Sequence, residues 1–89
     1  MLKIELVPDL DHCIETVAKR EYNETVHKLL SEKAASDELK NKAETLRLFL
    51  ETADFKKLRA ESEAHLLKGE QVMFTVYLQD CVLKYEMRT

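Results

Sequence analysis

Apolar and polar residues alternate at the start of the chain. Leu2, Ile4 and Leu6 fall on one side of an extended backbone, with Lys3 and Glu5 on the other. A period of two with one apolar side predicts a short strand, ended by Pro8, which has no N–H to give to a sheet ladder. The period then changes. Over residues 9 to about 33, Ile14, Val17, Ala18, Tyr22, Val26, Leu29 and Leu30 recur at steps of three and four, which predicts a helix. Asp9 or Asp11 would cap its free N–H groups, and both put negative charge at the positive end of the helix. A second helix is predicted after Ser36. Asp37 and Glu38 load its first turn, and Leu39, Ala43, Leu46, Leu50 and Ala53 form its stripe, widened by Phe49.

That stripe loses phase beyond Ala53. The next large apolar residues are Phe55, Leu58 and Leu66, not positions 57, 60 and 64. The mismatch predicts a break near Thr52-Ala53-Asp54, with Thr52 or Asp54 as the cap of a third helix. That helix would end at Lys68-Gly69, where a cation precedes the residue suited to a left-handed C-cap. One bent helix over residues 36–68 is the alternative.

After Gly69 the period returns to two. Val72, Phe74, Val76 and Leu78 share a side of one strand, and Cys81, Leu83, Tyr85 and Met87 share a side of the next. A two-residue loop at Gln79-Asp80 would pair Leu78 with Cys81, Val76 with Leu83, Phe74 with Tyr85 and Val72 with Met87. A hairpin in that register keeps all eight on one face. The elements then read strand, helix, helix, helix, strand, strand. This is an α+β class chain, β-α-α-α-β-β, with three helices on one face of a three-stranded mixed sheet and a C-terminal β-hairpin. If every element reverses direction, the first two strands run parallel through a right-handed crossover. The strand over residues 71–78 is apolar on both sides and is predicted to be central, giving the order first-second-third.

Length and composition narrow the class. The chain has 89 residues, enough for one domain over residues 1–89 and one modest core. Its 45% hydrophobic content and net charge of −3 exclude a disordered chain. Two cysteines cannot staple a secreted disulfide scaffold. The apolar runs are far short of the roughly 20 residues a membrane span needs, and the alternating N-terminus lacks the continuous apolar stretch of a signal peptide. A cytoplasmic protein with no membrane partner is the expectation. One glycine, one proline and abundant Glu and Lys favour helices and surface ion pairs, a mix also found in thermophilic proteins.

Candidate chemistry lies in two places. The sheet face away from the helices would show Lys3 and Glu5, then Met73, Thr75 and Tyr77, then Val82, Lys84, Glu86 and Arg88. Met73, Tyr77 and Val82 form an apolar strip inside charged margins, the anatomy of a protein interface. The chain therefore reads as an interaction module, working as a homo-oligomer or against a protein partner. The alternative on the same face is nucleic acid, with Tyr77 stacking a base and Lys3, Lys84 and Arg88 on phosphates. Glu5, Glu86 and the negative net charge oppose it.

The second place is one end of the sheet. With the first two strands parallel, His12 and Cys13 would meet Cys81 and Asp80, with Asp9, Asp11 and Asp54 nearby. Thiol, imidazole and carboxylate suit zinc, and two close thiols suit a disulfide or redox pair. No Cys-x-x-Cys spacing supports either, and both cysteines fall on apolar faces, where a free thiol packs as a small hydrophobe. His27 and His65 are isolated. The basic run Lys56, Lys57 and Arg59 reads as a solvated face balanced by Glu61 and Glu63, with Lys57-Glu61 and Arg59-Glu63 four apart. There is no Gly-rich phosphate loop and no nucleophile motif, so the residues call for no cofactor and name no catalytic group. A small enzyme with its site between subunits is the enzymatic option left.

Overall fold

The structure is a computed structural model, and it describes residues 2–31 and 36–89. The elements run β1 (Lys3–Leu6), α1 (Ile14–Ser31), α2 (Asp37–Thr52), α3 (Phe55–Leu66), β2 (Met73–Gln79) and β3 (Val82–Arg88). This is the α+β order β-α-α-α-β-β, and the sheet order is β1-β2-β3 with β2 central. Among the described residues, no helix is long and apolar enough to cross a membrane.

Local chemistry sets the boundaries. Asp9 does not cap α1. Its carboxylate accepts the N–H groups of Asp11 and His12 at 2.8 and 2.7 Å, closing a turn, and the helix begins after Cys13. Ser36 caps α2 by accepting the Leu39 N–H at 3.2 Å. Of the two caps expected for α3, Asp54 serves, accepting the Lys57 N–H at 3.2 Å. Residues 36–68 are thus two helices, not one. The second ends two residues earlier than expected, in a Schellman arrangement. Glu70 N–H reaches His65 O at 3.1 Å, Gly69 N–H reaches Leu66 O at 3.0 Å, and Gly69 takes φ +82°. The His65 ring meets Glu70 at 2.6 Å across the same cap, where the motif usually has an apolar contact. The far end of α1 expected near residue 33 lies outside the described residues.

The core joins Ile4 and Leu6 of β1, Ile14 and Ala18 of α1, Leu46 and Phe49 of α2, Leu58 of α3, and Val72, Phe74 and Val76 at β2. Two threonines complete the α1/α2 layer. Thr25 and Thr45 are buried, and each hydroxyl donates to the carbonyl four residues back, at 2.8 and 2.7 Å, so neither polar group is stranded. Lys42 binds Glu21 at 2.6 Å across the same two helices. The apolar stripe of α1 stops short of expectation, because Leu30 is 82% exposed.

Two expectations about the sheet are corrected. It is antiparallel throughout, not mixed: β1 pairs with β2 from Lys3↔Tyr77 to Leu6↔Phe74. The count of reversals fails at α3. Its first turns lie beside Cys13 and Glu15 at the start of α1, and the chain leaving it enters β2 beside Val7. α3 and the segment that follows it thus start and finish at the same end of the sheet, with no net traverse between them. The helices α1 and α2 alone carry the chain away and back, so β2 sets off in the direction opposite to β1.

The hairpin turn is the second correction. It lies at Asp80-Cys81, one residue later than expected, with φ +53° and +63°, the signature of a type I′ turn. The pairs are Gln79↔Val82, Leu78↔Leu83, Val76↔Tyr85 and Phe74↔Met87. Every strand residue keeps its expected face, and only Cys81 leaves the apolar row for the turn.

Candidate functional site

The open face of the sheet is built in cross-strand rows. Lys3, Tyr77 and Lys84 form one, and Glu5, Thr75 and Glu86 form the next. Met73 lies opposite Arg88, and Gln79 opposite Val82. Lys3 Nζ stands 5.2 Å from the centre of the Tyr77 ring, a cation–π contact. The Tyr77 hydroxyl donates to Glu86 at 3.4 Å. Partial desolvation, and then the charge and hydrogen bond of Glu86, hold the Tyr77 hydroxyl above its ordinary pKa. Arg88 approaches Glu86 at 3.8 Å.

The three residues expected to form an apolar strip do not lie in one patch. Tyr77 and Val82 are diagonal neighbours across β2 and β3, within about 7–8 Å. Met73 is four residues from Tyr77 along the strand, about 13 Å, with Thr75 between them. Thr75 faces outward between Glu5 and Glu86 yet is only 6% exposed. Met73 and Tyr77 are half-buried and Val82 is exposed. The alternative set divides the same way: Lys3, Tyr77 and Lys84 are adjacent, and Arg88 stands at the far end beside Met73.

The cluster expected from His12, Cys13 and Cys81 does not form. With the sheet antiparallel, Cys81 sits in the hairpin turn, while Cys13 sits at the end where β1 finishes and β2 begins. The length of β2 separates these ends, about 20 Å from Met73 to Gln79. Both cysteines are free. Among the described residues no group of three His, Cys, Asp or Glu side chains is placed to hold a metal ion. His12 instead closes on Asp9 at 3.1 Å. Partial desolvation pushes the Asp9 carboxyl up, but the N–H groups of His12 and Asp11 outweigh it and hold it below the usual range.

Cys13 has surroundings that sequence reasoning passed over. It stands just before α1, and its Sγ lies 3.3 Å from the Thr16 hydroxyl. Hydrogen bonds from the Thr16 hydroxyl and backbone N–H, with smaller help from Glu15 N–H and Arg59, lower the thiol's pKa. The signal was the spacing Cys13-x-x-Thr16, that of an N-cap residue and the third helical position. Phe55, Lys56 and Arg59 line the shallow cleft beside it with Glu15. As expected, Arg59 pairs with Glu63, at 2.9 Å.

One protein-family model matches residues 1–84, nearly the whole chain. The chain belongs to that family. It is an uncharacterised family, so membership assigns no reaction or ligand. No curated protein and no solved structure matches the chain.

Proposed function

We propose that this chain is a small cytoplasmic interaction module that associates, with itself or with another protein, through the open face of its sheet. The observation that carries this reading is the setting of Tyr77. A half-buried aromatic ring with Val82 diagonal to it is bordered by Lys3, Lys84 and Glu86. Aromatic centres inside charged rims are typical of residues that dominate binding. The two free cysteines suit a reducing compartment. The ion-pair network of α2, in which Arg47 binds both Glu44 and Glu51, supports a source that grows hot.

The test is association measured by light scattering, alone and with candidate partners. Tyr77→Glu is expected to lower the associated mass or the affinity while the circular dichroism spectrum stays unchanged. An unaltered mass and affinity would remove the open face from the reading.

The row Lys3–Tyr77–Lys84 favours a second reading, single-stranded nucleic acid stacked on Tyr77 between two phosphate-binding lysines. Binding of a labelled oligonucleotide should then fall with salt, and Tyr77→Ala should weaken it by about 1–3 kcal/mol. No binding at low salt ends this second reading. The adjacent Glu5 and Glu86 weigh against it.

A further inference from the structure

β3 is the last strand in the order β1-β2-β3, and among the described residues no strand pairs with its outer edge. It is seven residues long, against four for β1, the other edge strand. The backbone groups on that edge follow from the turn. A two-residue turn is closed by hydrogen bonding between the residues that flank it, here Gln79 and Val82. Alternation along an antiparallel ladder then commits the N–H and C=O groups of Val82, Lys84, Glu86 and Arg88 to β2. Those of Leu83, Tyr85 and Met87 point out from the sheet. The side chains of these same three residues lie on the helix side, and the helices cover them incompletely: Tyr85 is 39% exposed, and Leu83 and Met87 are only half-buried. The edge therefore offers free backbone donors and acceptors beside an unfinished apolar surface.

We propose that this edge pairs with the same edge of a second copy, antiparallel about a two-fold axis at Tyr85, joining two three-stranded sheets into one of six strands. The surface involved is the strand edge, not the open face. The inference therefore goes beyond the reading above and does not depend on it.

Charge and backbone parity select the occupant and the register. With the axis at Tyr85, all seven residues of β3 are paired, because Val82 and Arg88 are equally distant from Tyr85. Tyr85 meets Tyr85, and Leu83 meets Met87, as hydrogen-bonding pairs. Lys84 meets Glu86 of the other copy twice, in the non-bonded sites where side chains come closest. Moving the axis to Lys84 sets two lysines against each other. Moving it to Glu86 opposes two glutamates and sets Lys84 against Arg88. An axis between residues would oppose free backbone groups to committed ones. An axis at Met87 would pair Glu86 with Arg88 but leave Val82, Leu83 and Lys84 without partners, so the strand is self-complementary over its full length in one register, which an unrelated partner strand would match only by carrying the same pattern.

Sedimentation of the full chain over a range of concentrations tests this. The wild type is expected to dimerise. Lys84→Glu and Glu86→Lys should each weaken the dimer by about tenfold or more, since each turns two attractive pairs into repulsive ones. An equal mixture of the two variants should associate again, because one chain then carries two acids and the other two bases. The double reversal in one chain should also restore the dimer. Tyr77→Ala, which removes the ring from the open face without adding a charge beside Lys84 and Glu86, should leave this dimer intact, which separates a failure here from a failure of the open-face reading. Circular dichroism and thermal melting check that each variant is folded. A wild type that stays monomeric at the highest concentration overturns the proposal, as does a dimer indifferent to the reversals. So does a mixture of folded variants that fails to associate.

Discussion

Phe49 ties the helical layer to the outermost strand, and removing its ring contacts should separate the two. The side chain is fully buried on α2. Its ring stands 5.2 Å from Phe55 at 78° and 5.3 Å from Tyr85 at 67°, both edge-to-face. Phe49→Ala would leave a cavity and cost about 3–5 kcal/mol, about a fifth or more of the stability of an ordinary small domain. A gentler change is more informative. Phe49→Leu keeps most of the volume, at under about 1.5 kcal/mol, and also loses two aromatic pairs at about 0.5–1.5 kcal/mol each. The expected total is about 1–4.5 kcal/mol. Urea unfolding of Phe49→Leu, Tyr85→Leu and the double variant gives the coupling between the two rings. It should be about 0.5–1.5 kcal/mol, above the few tenths seen between independent sites. The same cycle with Phe55→Leu should give a coupling of similar size. If Phe49 couples to Phe55 but not to Tyr85, the hairpin does not rest on α2 as described, and the assignment of a helix-facing side to β3 fails.

Three further outcomes follow from local geometry. Cys81 holds φ +63°, which costs a side-chain-bearing residue about 1–2 kcal/mol, so Cys81→Gly should raise the free energy of unfolding in urea by a net of about 0.5–1 kcal/mol after glycine's extra unfolded freedom; a fall would contradict the turn. Ser36→Ala and Asp54→Ala should each cost about 1 kcal/mol in the same assay through loss of an N-cap, and an unchanged Asp54→Ala would argue for a continuous helix. In a Cys81→Gly background, alkylation of Cys13 should show a pH midpoint below the ordinary thiol value of about 8.5, moved upward by Thr16→Val. Because this thiol's pKa is depressed on folding, the unfolded chain holds more protons between the two values. Stability should therefore rise with pH through that window and be lost as pH falls through the folded pKa.

Much of the fold was legible because periodicity responds to burial. The break before α3 showed as a phase loss at Phe55 and Leu58, and the faces of the hairpin showed as alternation. The register was less legible. Sliding the turn from Gln79-Asp80 to Asp80-Cys81 shifts the pairing by two, so every strand residue keeps its face and the hydrophobic pattern cannot tell the options apart. Turn chemistry could not decide either, since Asp80 tolerates a left-handed backbone in both and cysteine does not announce one. Thr25 and Thr45 were missed as core residues because their hydroxyls are satisfied by their own helices, which a polarity pattern does not reveal. The expected cysteine cluster depended on a global property, the net direction of α3 and the segment that follows it, that no local pattern encodes. Once these make no net traverse, Cys13 and Cys81 part, while Lys3, Tyr77 and Lys84 still align across the open face.

The placement of β1 has a consequence for the order in which the molecule assembles. Its four residues pair with β2 although all three helices intervene in the chain. Closing that loop is the largest entropic step in building the sheet, and it is rewarded by the shortest ladder. The β2–β3 hairpin needs only a two-residue closure, and the α1–α2 and α2–α3 junctions are local too. β1 is therefore the last strand to join and the first to leave. The central strand reports this directly, because its two edges belong to different cooperative units. Amides of Phe74 and Val76, which alternation directs toward β1, should exchange with solvent deuterium before those of Thr75 and Tyr77, directed toward β3. A single strand of backbone thus carries a record of early and late assembly on alternate residues.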